Sequence, residues 1–129
     1  MTALPAIPVG SHSDSTLNFQ VLQRELRDSG WIVPTLLNAW KNSGGEFQTV
    51  AYRRIRQEVK IRGIIQGGVS GKQVFELPAG YRPTATEYLV SGAAGETGAV
   101  VVVTAAGSVA LFYAGAPERA AINCSFMVN

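Results

Sequence analysis

The chain has 129 residues, of which 47% are hydrophobic and 16% are charged; this composition is typical of one folded domain and excludes a disordered chain. The formal net charge of +2 is too small to indicate a nucleic-acid partner. Cys124 is the single cysteine, so no disulfide forms within the chain. No stretch approaches the roughly 18 apolar residues of a membrane span, and we expect a soluble protein, made in a cytoplasm, that does not insert into membranes.

Residues 1–14 are predicted to be an extended arm. Pro5, Pro8 and Gly10 disfavour both a helix and a central strand in this segment. The apolar residues of the arm have no core of their own. The arm is therefore either a free terminus or a peptide that docks on a neighbouring subunit or another partner.

Residues 15–30 carry the one convincing helical pattern. Phe19, Leu22 and Leu26 follow a spacing of three and then four, and Leu17 and Val21 widen the apolar stripe. A wide stripe suits contact with more than one neighbour, which indicates self-association. Packing of the helix on its own domain is an equal alternative, since two heptads are too few to establish a coiled coil.

Residues 31–129 are predicted to form a β domain. Trp31 and Trp40 flank Pro34 and are expected to anchor packing, because a large ring buries much area. About seven short strands with regular Gly and Pro turns favour an antiparallel β-sandwich or a small barrel. The strand-like runs are residues 50–55, 58–65, a short run that holds Phe75 and Leu77, and residues 87–93, 99–103, 108–113 and 120–128.

Two strands carry further information. Residues 100–103 are four consecutive valines with no polar alternation, so both faces of this strand should be covered, one by the core and the other by a second sheet, the helix or another subunit. This favours an oligomer. In the last strand, Cys124 alternates with Ile122 and Phe126 on the apolar side, which predicts a buried, inert thiol.

No motif indicates catalysis. The loop GGVSGKQ resembles a phosphate loop only in its central pair, because Gln66 and Gln73 stand where that motif needs glycine and Ser or Thr. His12 is the single histidine, and the carboxylates are scattered singly. We therefore predict no catalytic, cofactor or metal-ligating residue, and we expect that the chain is not an enzyme.

The segment from Trp40 to Pro83 resembles the distal domains of tailed-bacteriophage fibre, baseplate and receptor-binding proteins. The likeness lies in an apolar segment that ends in Trp, a small turn, an aromatic, a Tyr-Arg pair, a strand that ends in Arg-Gly, a Gly-Gly loop and a final Leu-Pro-x-Gly-Tyr-Arg-Pro string. Those features are Trp40, residues 44–45, Phe47, residues 52–54, residues 59–63, residues 67–68 and the string VFELPAGYRP at residues 74–83.

The resemblance implies an antiparallel, jelly-roll-like β-sandwich that assembles as a homotrimer, with a helix on its amino-terminal side. It also implies a virion protein of the tail fibre, spike or baseplate that adheres to a host-surface glycan and contacts other virion proteins through residues 1–14. For the adhesion we select Tyr113, Glu118 and Arg119 as candidate binding residues, because an aromatic ring and polar loop groups suit sugars.

Two alternatives stay open. One is a purely structural virion component, such as a baseplate or capsid decoration protein, that docks through the amino-terminal arm. The other is a glycan-cleaving enzyme whose carboxylates meet across a subunit interface.

Overall fold

A computed structural model of the protein describes residues 28–91 and 98–128. The predicted arm, residues 15–27 of the predicted helix and residues 92–97 lie outside this part. The last residues of the predicted helix, 28–30, run beside a strand: Asp28 pairs with Ile55 in an isolated bridge, and the Ser29 amide donates to the Arg54 carbonyl at 2.9 Å.

Ten strands and no helix occur in the described residues, and every strand pair is antiparallel. This part of the chain is therefore mainly β, as predicted. The strands are β1 (Lys41–Asn42), β2 (Ala51–Ile55), β3 (Glu58–Arg62), β4 (Ile64–Gln66), β5 (Gln73–Glu76), β6 (Glu87–Val90), β7 (Ala99–Val103), β8 (Ser108–Tyr113), β9 (Ala120–Ala121) and β10 (Cys124–Met127).

The strands form three sheets. The hairpin sheet has the order β10-β3-β2, the small sheet has the order β1-β4-β9, and the four-stranded sheet has the order β5-β8-β7-β6. The hairpin sheet is built around a turn at Arg56–Gln57, which lies between the predicted runs 50–55 and 58–65 and joins β2 to β3. The turn allows Val59 and Ile61 to point to the core while Lys60 points outward, as their alternation predicts.

The predicted strand 58–65 is divided at Gly63 into β3 and β4, which belong to different sheets. Gly63 has a φ of 139°, and a Cβ there would lie 2.5 Å from the Val50 Cα, so only glycine fits. The predicted strand 120–128 is divided at the same level, since the Ile122 amide donates to the Gly63 carbonyl and the Gly63 amide donates to Asn123 Oδ1, each at 2.9 Å. Two paired strands thus pass together from one sheet to another.

One hydrophobic cluster joins the three sheets. The rings of Tyr52, in the hairpin sheet, and Phe75, in the four-stranded sheet, are stacked with centroids 5.9 Å apart. No polar or charged side chain is buried in the part of the chain that the structure describes. The cluster includes Trp40, Val59, Ile61, Ile65, Val74, Leu77, Val101, Val103, Val109, Leu111, Ile122 and Phe126.

The outer face of the four-stranded sheet is apolar, and described residues leave it uncovered. Burial alternates along β7, where Val101 and Val103 are fully buried while Val100 and Val102 are half-buried. The expected second cover for the valine run is therefore not supplied by the described part of the chain. The register aligns two outward rows across β6, β7 and β8. We call this surface the apolar face: Tyr88, Val90, Val100, Val102, Ala110 and Phe112.

The outer face of the hairpin sheet has the opposite character. Trp31 lies over it, with the guanidinium carbon of Arg62 4.0 Å and that of Arg53 5.6 Å from its ring centroid. Trp31 is 37% exposed, whereas Trp40 is 5% exposed, so only Trp40 anchors the core as expected. We call this second surface the charged face: Arg53, Glu58, Lys60, Arg62 and Ser125. Met127, which pairs with Glu58, is 54% exposed on the same side.

Candidate functional site

The three predicted binding residues, Tyr113, Glu118 and Arg119, lie together at one cleft. The cleft is formed where β8 ends, beside β4 and the segment that leads into β9. It is small, with a volume of about 20 Å³, which is room for about one water molecule. Its other lining residues are Trp40, Ile65, Gln66, Gly67, Gly68, Pro117 and Ala120.

Trp40 is held rigidly at one wall of the cleft. Its Nε1 donates a hydrogen bond to the Lys72 carbonyl oxygen at 3.2 Å. Gly68 packs directly against the ring, because a Cβ at this position would lie 2.1 Å from Trp40 Cδ2. Gly68 therefore serves close packing on a tryptophan, whereas Gly67 serves a close approach of the backbone, because a Cβ there would lie 2.9 Å from the Ala39 carbonyl oxygen.

Tyr113 is the aromatic group that is accessible at the cleft. It is half-buried and meets Trp40 edge to face, with centroids 6.3 Å apart and an interplanar angle of 79°. Ser70 holds its backbone twice: the Tyr113 amide donates to Ser70 Oγ at 2.9 Å, and Ser70 Oγ donates to the Tyr113 carbonyl at 3.0 Å. The ring is thus presented by two fixed contacts at the end of a central strand.

Glu118 and Arg119 provide opposite charges on the other side. Their side chains form an ion pair at 3.4 Å and are 79% and 38% exposed, so the pair contributes little to stability. The Arg119 guanidinium lies 4.6 Å from the Phe47 ring centroid, and its Nε is buried without a hydrogen-bond partner among the described residues. Stacking on Phe47 therefore places Arg119, while its exposed part stays available to a ligand.

A polar amide completes the cleft. Ser43 Oγ donates to Gln66 Oε1 at 3.1 Å, which orients the Gln66 amide at the end of β4. The cleft thus combines one accessible aromatic ring, one carboxylate, one guanidinium and one amide. Such a set can stack on an apolar ring face and exchange hydrogen bonds with hydroxyl groups.

A second concavity, which we call the side groove, is larger, with a volume of about 460 Å³. It offers fewer polar groups than the cleft. Glu76 is its only charged side chain, and the hydroxyls of Thr35 and Tyr52 are its other polar side-chain groups. Burial, with a smaller effect from Tyr81, raises the pKa of Tyr52, so its hydroxyl stays protonated. The groove is lined by Pro34, Thr35, Leu37, Tyr52, Glu76, Leu77 and Pro78.

The described residues include no group of three or more His, Cys, Asp or Glu side chains that could hold a metal ion. Burial raises the pKa of Cys124 to about 12, which makes its thiolate scarce at neutral pH. In the same part of the chain, no helix is long and apolar enough to cross a membrane.

The sequence pointed to Tyr113, Glu118 and Arg119 but missed the other half of the cleft. Trp40 and Gln66 come from chain segments far from Tyr113 and meet it only after folding. The available signal was the Gly67–Gly68 pair, because paired glycines after a strand indicate a close approach by another group.

No family model matches the chain, and no curated protein or solved structure matches it either. The function is therefore inferred from the residues and their geometry.

Proposed function

We propose that the protein is a homotrimeric component of a bacteriophage tail, in the fibre, spike or baseplate, which adheres to a glycan on the host-cell surface. The resemblance of residues 40–83 to the distal domains of such proteins motivates the proposal, and the mainly β, antiparallel fold is compatible with it. We further infer that the sheets form a jelly-roll-like sandwich. The stack of Tyr52 on Phe75 between the hairpin sheet and the four-stranded sheet supports this arrangement.

The observation that carries the adhesion proposal is the convergence of Tyr113, Glu118 and Arg119 at one cleft. Sugar rings carry apolar C–H faces that stack on aromatic side chains, and their hydroxyls need several hydrogen-bond partners. Tyr113 supplies the ring, and the exposed ion pair and Gln66 supply the partners. Since the cleft holds only about one water molecule, a glycan lies across it and does not enter it.

Binding of the full chain to isolated host cell-wall polysaccharide tests this proposal. Tyr113→Ala and Arg119→Ala should each weaken binding about tenfold or more, because each removes a stack or a charged hydrogen-bond donor. Lys60→Ala, on the charged face, is the matched control and should leave binding unchanged. Thr35→Arg places a bulky group in the side groove and should also have no effect.

Three results would redirect the proposal. If Thr35→Arg abolishes binding while the cleft variants retain it, the glycan binds in the side groove. If a folded trimer labels neither host cells nor their polysaccharide, adhesion is wrong and the structural alternative is favoured. Deletion of residues 1–14 should then prevent incorporation into virions while the trimer persists. Release of reducing ends from the polysaccharide would instead identify a glycan-cleaving enzyme.

A further inference from the structure

The small sheet brings three polar side chains into one row at the cleft. Lys41 of β1 is paired with Gln66 of β4. Ile65 is paired with Ala120 of β9, so the next position along the same register sets Arg119 level with Gln66. Directly opposed residues of an antiparallel pair point to the same face. Because neighbouring strands are about 5 Å apart, the backbones of Lys41 and Arg119 lie roughly 10 Å apart, on either side of Gln66.

Lys41 holds a positive charge at the edge of the cleft. A Cβ at Gly67 would lie 3.3 Å from Lys41 Cε and 3.5 Å from its Cγ, so the lysine stem packs across Gly67, which lines the cleft. Lys41 is exposed, and it forms no ion pair with another described residue. The stem is thus fixed by packing while the ammonium group stays accessible to a ligand.

Gln66 adds a hydrogen-bond donor between the two cations. Its Oε1 accepts from Ser43 Oγ at 3.1 Å, so the oxygen of the amide is already engaged. Its Nε2 has no hydrogen-bond partner in the part of the chain that the structure describes. A side-chain amide with an engaged oxygen offers its two N–H groups to a ligand. The row therefore presents donors at all three of its positions.

Arg119 is placed independently of Glu118, its acidic neighbour. The guanidinium lies 4.6 Å from the Phe47 ring centroid, and this stacking does not involve the carboxylate. The ion pair with Glu118 joins its atoms at 3.4 Å, and the Glu118 side chain is 79% exposed. Exposed ion pairs of this kind are weak, so an anion on a ligand can replace Glu118 at the guanidinium at little cost.

The charges at the cleft do not cancel. Glu118 is the single carboxylate among the described residues that line it, and Arg119 is the single cation among them. Lys41, at the edge, leaves one positive charge without a counterpart. A neutral sugar uses donors and acceptors in similar number, whereas a carboxylate only accepts, and it forms its strongest hydrogen bonds with cationic donors. The donor row therefore suits an acidic sugar better than a neutral one.

We propose that the glycan bound at the cleft is acidic, and that a carboxylate on one of its sugars binds between Lys41 and Arg119, over the Gln66 amide, while the sugar ring stacks on Tyr113. The inference rests on the adhesion of the proposed function and names the class of its ligand. It makes Lys41 a specificity-determining residue, because the ammonium group meets only the charged substituent of the sugar.

Removal of the carboxylates from the ligand tests the proposal. Isolated host cell-wall polysaccharide is compared with the same polysaccharide after chemical reduction of its carboxyl groups to alcohols, which keeps the sugar rings and any phosphate groups. The full chain should bind the native form about tenfold or more tightly than the reduced form, since the reduced form loses charge-assisted hydrogen bonds. Equal binding of the two forms would overturn the inference and leave adhesion intact.

Substitutions of Lys41 locate the preference. Lys41→Gln should weaken binding of the native form by about tenfold and leave binding of the reduced form unchanged, because it removes only the charge at an exposed position. Lys41→Arg keeps the charge and should keep the preference. Lys60→Gln changes a lysine that is also exposed, on the charged face, and as the matched control should bind as the wild type does.

Glu118→Gln should shift binding in the opposite direction. It removes the like charge that an incoming carboxylate meets, while Phe47 still holds Arg119 in place, so binding of the native form should become several-fold tighter. Weaker binding of both forms by Lys41→Gln would indicate a structural role for Lys41 and overturn its role in specificity. A preference that is lost in Lys60→Gln and kept in Lys41→Gln would move the acidic site to the charged face. Failure of the wild-type chain to bind either form would overturn the proposed adhesion itself.

Discussion

The apolar face and the charged face are the outer surfaces of two antiparallel sheets in the same small protein, and one central strand of each, β7 and β3, has five residues. Strand β3 reads EVKIR and alternates charged with apolar residues, whereas β7 reads AVVVV. Burial alternates in both strands, with Val59 and Ile61 in the core on one side and Val101 and Val103 on the other. The inner residues of the two sheets are therefore equivalent, and only the outer residues differ.

The two outer faces differ in the contacts that their side chains make outside the core. The charged face has partners within the chain: Arg62 stacks on Trp31, and Arg53 forms an ion pair with Asp28. Its side chains also remain hydrated in a single chain. The apolar face has neither such partners nor hydrated charges, because exposure of Val100 and Val102 to water is unfavourable. A strand whose sequence does not alternate while its burial does is typical of a surface that a further partner covers.

The largest expected effect concerns the two sides of β10. Cys124 points inward and Ser125 points to the charged face. Because burial raises the pKa of Cys124 to about 12, from an ordinary value near 9, its thiolate fraction at pH 8 is lower by about a thousandfold. A Ser125→Cys, Cys124→Ala variant should therefore react with iodoacetamide about a thousandfold faster than the wild type. Similar rates would show that the inward side of β10, where Cys124 lies, is open to solvent.

Two opposite substitutions, valine to lysine on the apolar face and lysine to valine on the charged face, test the comparison of the faces directly. Val102→Lys, in the middle of the apolar face, should lower the free energy of unfolding by about 1–2 kcal/mol, because the site is half-buried and removes part of an unpaired ammonium group from water. Lys60→Val, at the equivalent place on the charged face, should change it by less than about 0.5 kcal/mol. Urea unfolding at a fixed protein concentration measures both. Equal, small effects would mean that the apolar face stays in water.

Much of the sheet structure was predictable from local pattern. The runs at residues 99–103 and 108–113 coincide with β7 and β8, and the turn at Arg56–Gln57 is where the alternation placed it. These features depend on neighbouring residues alone, namely branched side chains and a period of two. The mainly β class follows from the same local signals.

The features that escaped prediction depend on contacts between distant segments. The break at Gly63 is opposite Asn123, and strand β1 exists only because Lys41 and Asn42 pair with β4. Trp31 was expected to anchor packing but lies under two guanidinium groups, since its neighbours in space are Arg53 of β2 and Arg62 of β3. For the same reason the cleft around Tyr113 could be predicted only in part, without Trp40.

Removal of the Trp31 ring tests how much its stacking with Arg53 and Arg62 stabilises the charged face. Trp31→Ala should lower the free energy of unfolding by about 1 kcal/mol, because it ends the stacking with Arg62 and Arg53 at a partly exposed site. Trp31→Phe keeps an aromatic face and should lose less. A loss of about 3–5 kcal/mol in urea unfolding, as for a core aromatic, would show that Trp31 belongs to the core after all.

The smallest effect is expected from the ion pair at the edge of the charged face. Arg53 Nε donates to Asp28 Oδ1 at 2.8 Å, and this hydrogen bond, with a second from the Gly30 amide, lowers the pKa of Asp28. A lowered pKa in the folded state adds stability above the unfolded pKa of about 3.9, and this stability is lost as the pH falls through the folded value. Wild type should therefore lose more stability than Asp28→Asn when the pH falls from 6 to 2. Arg53→Gln removes the partner and should flatten the same pH dependence; equal slopes for all three proteins would mean that the pair adds nothing and that the charged face depends on its stacking alone.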